Sequence, residues 1–264
     1  MKTLLLAATL LFLYSCSQPA YLQADAVKLS TPTIEVEEYF FTKETTIEVG
    51  KTQMSSQVHY TTNGDSPTPK SPVAEGPLNI GESQTLKFRT IGGGFLPSEE
   101  ATVEVVMLNA NSLTLTNASP AAPPYNKVPE TVLTNRAKAG KNFREENWLG
   151  YQDSLLTFEF SLPEGPISKV TLSVLEDQSS WIFAPAAVKA TFYDEAGRKV
   201  TSGRMEYPAA VEKNGRHFRF LRVVVEEVQA ASLRLEVENL GKIPGWHPGA
   251  GSREWVFLDE VFLD

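Results

Sequence analysis

Polar and apolar residues alternate along many short segments of this chain. A period of two places one row of side chains on the buried face of a β-strand and the other row on its exposed face. The alternation predicts strands at residues 33–37, 45–49, 57–61, 84–90, 101–106, 154–160, 167–175, 187–193, 217–225, 232–238 and 255–263. Because no stretch keeps a helical hydrophobic period without interruption, we expect an all-β protein.

Turn-forming residues separate these strands and divide the chain into two parts. Asn63-Gly64 ends one strand, because this pair tolerates positive φ and a proline follows shortly after it. The segment 108–129 is rich in Asn, Ser, Ala and Pro, but alternation at 112–116 predicts the opening strand of a second unit. We therefore predict two small β-sandwich domains, residues 28–107 and 108–264.

The first residues have the pattern of an export signal. Lys2 precedes an apolar run, residues 4–13, that is too short to span a bilayer. The segment Leu13-Tyr14-Ser15-Cys16 resembles the lipobox of bacterial lipoproteins, which implies cleavage before Cys16 and acylation of this residue. We predict a signal peptide at 1–15, a tether at 16–27 and a lipid anchor in the outer membrane of the cell envelope.

Alternatives stay open at this end of the chain. Cys16 is also compatible with an ordinary residue of a signal peptide that precedes a soluble secreted protein. The segment Ser17-Gln18-Pro19-Ala20 lacks the acidic run that marks surface export in many Bacteroidetes lipoproteins, so the pattern does not decide between the periplasmic and the outer face. Because Cys16 is the only cysteine, the exported part has no thiol left for disulfides.

Charge narrows the classes of partner. The formal net charge is −8, whereas nucleic acids and anionic lipid headgroups require a basic face. We therefore expect no nucleic-acid partner. The three histidines and the single cysteine form neither a zinc-ligand spacing nor a Ser/His/Asp order.

Four phrases of the first domain follow one another at residues 58–67, 77–80, 85–90 and 94–98. In this order they resemble the immunoglobulin-like domain at the C-terminus of chitobiases and β-hexosaminidases. The resemblance implies an Ig-like β-sandwich with an accessory role and no catalytic residue. His59, on an alternating strand of this domain, is interpreted as structural or solvent-facing.

The second domain carries further landmark phrases at residues 147–151, 180–185, 221–223, 239–251 and 255–261. They resemble the discoidin-like, galactose-binding-like jelly roll at the C-terminus of family 20 β-N-acetylhexosaminidases of Bacteroidetes. More distantly they resemble family 32 carbohydrate-binding modules and coagulation-factor type C domains. In the hexosaminidases both domains follow a catalytic barrel, and we expect this chain to begin after the position of that barrel.

Family 20 hydrolases use an adjacent Asp-Glu pair, with Glu as general acid and Asp orienting the substrate acetamido group. Asp259-Glu260 is such a pair by composition, but neighbours on a strand are expected to point to opposite faces. The pair also lies in the closing strand of a small sandwich, and a barrel needs about 250 residues by itself. We therefore predict that the chain is not an enzyme.

A sugar-binding site needs an aromatic plate for the apolar C–H faces and polar groups for the hydroxyls. Trp246, His247, Arg253 and Trp255 lie in one turn-rich segment, and we predict Trp246 and His247 as exposed ligand contacts. In the family 32 modules an aromatic five residues before the closing-strand glutamate stacks on the sugar, and Trp255 holds that offset. The other interpretation is that Trp255 caps the core. Trp181 is interpreted either as the opposite wall of the site or as a core residue.

The same resemblance implies one structural calcium ion, held by loop carbonyls, an early Asp or Asn and a glutamate of the last strand. By position the side-chain ligands are Asn135 and Glu260. This sequence departs from the pattern, because Asn135-Arg136-Ala137-Lys138 stands where the relatives have Asp-Gly. Two cations therefore lie beside the predicted calcium site.

These features together predict a non-catalytic carbohydrate-binding lipoprotein of the cell envelope. The implied ligands are glycans that contain amino sugars or galactose. One alternative is an adhesin or scaffold whose second domain binds a protein such as a separately encoded glycoside hydrolase. Another alternative is the remaining accessory region of a hexosaminidase.

Overall fold

The structure is a computed structural model that describes residues 23–50, 55–108, 113–145, 147–212 and 215–263. Sixteen β-strands and three short 3₁₀ helices occur in this part of the chain, which confirms the predicted all-β class. Cys16, the predicted signal peptide and residues 16–22 of the predicted tether lie outside it. Within the described ranges, no helix is long and apolar enough to cross a membrane.

The first domain is a β-sandwich of two sheets. Its strands are β1 (Ile34–Val36), β2 (Phe40–Phe41), β3 (Thr45–Val49), β4 (Ser56–Thr61), β5 (Leu78–Ile80), β6 (Gln84–Gly92) and β7 (Ala101–Met107). One sheet has the order β1-β3-β5, and the other has the order β2-β7-β6-β4. Apolar side chains from both sheets, including Phe41, Ile47 and Phe88, pack into a common core.

Alternation located the longer strands of this domain. The bounds of β3 are those predicted, and β1, β4, β6 and β7 differ from the predictions by a few residues. The prediction missed β2 and β5, which comprise two and three residues, because so few positions cannot show a period of two. His59 is buried on β4, and its Nδ1–H donates to the carbonyl oxygen of Ser71 at 2.8 Å, which confirms a structural role.

The second domain is a larger sandwich with jelly-roll-like layers. Its strands are β8 (Thr114–Ala118), β9 (Leu149–Tyr151), β10 (Leu155–Ser161), β11 (Ile167–Glu176), β12 (Ala187–Tyr193), β13 (Lys199–Glu206), β14 (His217–Val228), β15 (Ser232–Glu238) and β16 (Val256–Leu263). The order is β13-β12-β15-β10-β8 in one sheet and β14-β11-β16-β9 in the other. The core between these sheets includes Phe158, Phe160, Leu172, Phe192 and Leu258.

Strand β8 confirms that the Asn- and Pro-rich segment contains the opening strand of the second unit, since β8 pairs with β10. The bounds of β12 and β15 are those predicted. The prediction missed β9, which has three residues, and β13. Strand β13 lies at a sheet edge and is mostly polar, so its apolar positions are too few to give a clear pattern.

An apolar cluster joins the two domains. Phe40 of the first domain packs its ring against Phe262 and Phe220 of the second, with ring centroids 5.0 Å and 5.5 Å apart. Arg222 on β14 donates a hydrogen bond to Glu104 on β7. The first domain therefore covers part of the outer face of β14.

Candidate functional site

Two partly exposed tryptophans lie in neighbouring loops of the second domain. Trp181 and Trp246 expose 40% and 41% of their surfaces, although most large apolar side chains of this domain are buried. Trp181 follows the 3₁₀ helix Gln178–Ser180, and Trp246 lies in the loop before β16. We call this pair the tryptophan surface.

The backbone of Trp181 adopts an unfavourable conformation that its neighbours enforce. Its φ of +64° is in the left-handed region, which non-glycine residues seldom occupy. The Trp181 N–H donates to Gln178 at 2.9 Å, and its carbonyl accepts from the Trp255 N–H at 2.9 Å. Such strain persists where the surroundings fix it, and it is frequent at ligand sites. The fold therefore directs this indole outward at a cost in local stability.

His247 supports the tryptophan surface from below. It is only 8% exposed, so our expectation of an exposed contact was wrong. Because the Gly249 N–H can only donate, Nδ1 accepts at 3.0 Å and the Nε2–H donates to the Gln178 carbonyl at 2.9 Å. Both ring nitrogens are therefore engaged within the protein. The histidine connects the loop of Trp246 to the turn of Trp181.

The aromatic rings below the surface fix the position of the two indoles. The His247 ring lies edge-on to Trp181 at 6.2 Å and to Trp246 at 5.6 Å, measured between ring centroids. Phe183 lies beneath, 6.2 Å from Trp246. The Trp246 Nε1–H donates to the carbonyl of Ala210 at 3.2 Å. Contacts on several sides thus hold the surface in one arrangement.

Trp255 and Arg253 take different positions. Trp255 is half-buried, and its ring meets Tyr125 edge-on at 4.9 Å, within the apolar cluster that includes Phe257. This packing agrees with the alternative in which Trp255 caps the core. Arg253 is exposed, and its Nη1 donates to the Gln152 carbonyl at 3.5 Å. The structure therefore brings together Trp181, Trp246 and His247 of the predicted set.

Sequence reasoning missed Asp177, which organises the turn before Trp181. Its buried carboxylate accepts hydrogen bonds from Ser179, Ser180 and Arg216 at 2.7, 2.9 and 2.6 Å. Burial acts to raise the pKa of Asp177, but these hydrogen bonds outweigh it and hold the pKa below its usual range. In the sequence a polar run, residues 176–180, precedes Trp181, but no pattern showed that Arg216 would reach Asp177.

Asp259 and Glu260 meet the same loop, although they are neighbours on β16. Ser173 of β11 lies opposite Glu260, and Val174 lies opposite Leu258, so a β-bulge leaves Asp259 without a partner in the register. Our expectation that the two side chains diverge to opposite faces was therefore wrong. Both carboxylates are buried beneath the loop of residues 136–139.

The loop of residues 136–139 donates hydrogen bonds to both carboxylates. The Arg136 N–H donates to Glu260 Oε2 at 2.7 Å, and Lys138 Nζ donates to Asp259 Oδ2 at 2.6 Å. Burial and the nearby charge of Asp259 raise the pKa of Glu260 to about 9. Asn135 is exposed, and its Oδ1 accepts from the Ala137 N–H at 2.8 Å.

These residues do not fit the predicted calcium site. Calcium takes six to eight oxygen ligands, whereas an ammonium group and backbone N–H donors face the carboxylates here. One oxygen of Asp259 and one of Glu260 lack a hydrogen-bond partner. In the part of the chain that the structure describes, no three His, Cys, Asp or Glu residues form a group that could hold a metal ion.

The fold is that of an all-β protein in which one β-sandwich precedes a larger one. Residues 19–104 match the family model of the chitobiase/beta-hexosaminidase C-terminal domain. This match confirms the resemblance that the motif order of the first domain indicated. A comparison with curated proteins found no match.

Among solved structures, the chain is similar to the C-terminal domain of a chitobiase from Bacteroides fragilis, with 10% identity, 58% of this chain and 92% of that chain covered, and a TM-score of 0.36. It is similar to a fucose-binding module from Streptococcus pneumoniae, with 12% identity, coverages of 59% and 93%, and a TM-score of 0.33. It is also similar to a SusE-like protein, with 12% identity, coverages of 87% and 95%, and a TM-score of 0.36. The function of this chain therefore has to be argued from its own residues.

Proposed function

We propose that the second domain binds a saccharide at the tryptophan surface and that the chain has no catalytic role. The observation that carries this proposal is the pair of partly exposed indoles at Trp181 and Trp246, which buried His247 fixes from below. Indole faces pack against the apolar C–H faces of sugar rings. A rigid aromatic surface also loses little conformational entropy on binding.

We assign no role in sugar binding to Arg253, because its exposed guanidinium donates to the Gln152 carbonyl instead of joining the tryptophan surface. His247 acts as a positioning residue, because both of its ring nitrogens are engaged within the protein. We propose glycans with amino sugars or galactose as ligands. The family match of residues 19–104 to a domain of chitobiases and hexosaminidases supports the amino-sugar class.

Burial of the Asp-Glu pair supports a non-catalytic role. Asp259 and Glu260 are 0% and 1% exposed, and Arg136 and Lys138 donate hydrogen bonds to them. A general acid has to come within hydrogen-bond distance of the atom that it protonates. A substrate outside the domain cannot reach this pair.

A glycan array probed with the exported chain tests the proposal. We expect retention on amino-sugar or galactose-containing glycans and no product release from N-acetylhexosaminide substrates. Binding to no glycan, together with stoichiometric binding to a co-purified glycoside hydrolase, would contradict the proposal and support the scaffold alternative. Hydrolysis of a substrate would contradict the non-catalytic part.

Gly249 offers a steric test of Trp181. A Cβ at this position would lie 2.9 Å from Cε2 and Cζ2 of the Trp181 indole. Gly249→Ala should displace the indole, because overpacking at such distances costs about 1–3 kcal/mol, and saccharide affinity should fall by roughly tenfold. Titration calorimetry measures the affinity.

Gly245→Ala in the same loop is the matched control. A Cβ at Gly245 meets no atom within 4 Å, so its affinity should equal that of the wild type. Equal affinities for both variants would place the saccharide away from Trp181.

We also propose that Cys16 is acylated and anchors the chain to the outer membrane. Lys2, the apolar run 4–13 and the lipobox-like segment before Cys16 support this proposal. Cells fed with an alkyne fatty acid should label the wild-type chain, Cys16→Ser should abolish the label, and Ser17→Ala should keep it. An unlabelled wild-type chain would favour a soluble secreted product, and protease treatment of intact cells distinguishes the two faces of the membrane.

A further inference from the structure

We infer that the Lys138 ammonium takes the place of a calcium ion beneath the last strand, so that the second domain is stable without bound metal. The side chains of Lys138 and Asp259 are only 4% and 0% exposed, and Nζ lies 2.6 Å from Oδ2. This ion pair is therefore inside the domain. It connects residues that are 121 positions apart in the sequence.

The surroundings of Lys138 suit a cation. Its Nζ lies 3.7 Å from the centroid of the Phe218 ring and 4.4 Å from that of the Trp148 ring. Aromatic faces attract an ammonium group, most strongly where water is excluded. The Lys138 ammonium therefore contacts the Asp259 carboxylate and the faces of two aromatic rings.

The loop backbone completes the replacement. The Ala139 N–H donates to Asp259 Oδ2 at 2.9 Å, and the Arg136 N–H donates to Glu260 Oε2 at 2.7 Å. Arg136 adopts a φ of +65°, a conformation that favours glycine and that turns the loop toward the carboxylates. The chain therefore supplies an ammonium group and backbone N–H donors where a calcium site would supply oxygen ligands.

The Tm of the chain from Cys16 onward, measured in calcium and in EDTA, tests this inference. An ion at a hundred times its Kd would raise the Tm by roughly several degrees, whereas we expect the same wild-type Tm in millimolar calcium and in EDTA. Glu260→Gln is the reference variant. Calcium stabilisation of the wild type that Glu260→Gln removes would overturn the inference, whereas equal stabilisation of both would place the ion elsewhere and leave the inference standing.

A double-mutant cycle measures the pair itself. Lys138→Met leaves Asp259 as a buried carboxylate without its cation and should lower the Tm by roughly 10 °C. The double variant Lys138→Met/Asp259→Asn should lose less than Lys138→Met alone, because no buried charge is left without a partner. This double variant keeps the test decisive if the single variant fails to fold.

Lys127→Met, at an exposed lysine of the same domain, is the control and should leave the Tm nearly unchanged. If the double variant loses as much stability as Lys138→Met and Asp259→Asn lose in sum, Lys138 and Asp259 do not neutralise each other. That result would overturn the inference.

Discussion

A Trp246→Ala variant should bind saccharide at least about tenfold more weakly than the wild type. Removing a tryptophan from the centre of a binding surface typically costs about 2 kcal/mol or more, and each 1.4 kcal/mol is roughly a factor of ten in Kd. Trp246 fits this description because 41% of its surface is exposed while its edge rests on Phe183 and His247. Titration calorimetry with a glycan identified on the array measures the change.

Folding should be affected much less than binding. The Trp246 Nε1–H donates to Ala210 at the surface, where water can replace the lost group. We expect the Tm to stay within about 4 °C of the wild-type value, which corresponds to roughly 1 kcal/mol in a chain of this size. A loss of affinity with a retained Tm separates a ligand contact from a structural role.

Val224→Ala is the control for the loss of an exposed apolar side chain. Val224 is 67% exposed on β14 and pairs in register with Lys169 of β11, away from the loop of Trp246. The saccharide affinity of Val224→Ala should match that of the wild type. Unchanged affinity in Trp246→Ala would exclude the tryptophan surface as the binding site.

A Phe40→Ala variant should lose about 3–5 kcal/mol of stability, as expected for removal of a buried phenylalanine ring. Phe40 is buried, and its ring contacts Phe220 and Phe262 of the second domain. The variant therefore loses packing both between the two domains and within the first domain. We expect the thermal unfolding of the two domains to separate into two transitions in scanning calorimetry.

Met107→Ala provides a comparison at the same end of the first domain. Met107 lies opposite Phe41 in the pairing of β2 with β7, and its side chain is exposed. It should leave the unfolding profile of the wild type unchanged. If Phe40→Ala behaves like Met107→Ala, the ring of Phe40 does not couple the domains.

The strands followed from the sequence where one face is buried over several residues. Strands β3 and β15 have the predicted bounds, because alternation in the sequence coincides with alternating burial. Strand β12 also has the predicted bounds, although it is buried on both faces over most of its length. The short strand β2 did not follow, because it pairs with β7 while Phe40 contacts the second domain and Phe41 packs in the core of the first. Such a strand depends on tertiary contacts instead of a local period.

The candidate site followed only in part. The spacing of turn residues and aromatic residues pointed to the loop of Trp246, whereas the sequence left Trp181 open between the site and the core. The burial of His247 did not follow, because its partner Gln178 is 69 positions away in the sequence. A histidine between two prolines resembles a surface residue until that second loop covers it.

The sequence by itself determined the all-β class and pointed to the loop of Trp246, because these depend on local periods and turn residues. Only the tertiary structure decided which side chains meet. A one-residue bulge turns Asp259 and Glu260 toward the same loop, and folding brings Lys138 to that carboxylate from 121 positions away. Long-range packing and strand register set these contacts, and neither can be predicted from the local pattern of polar and apolar residues.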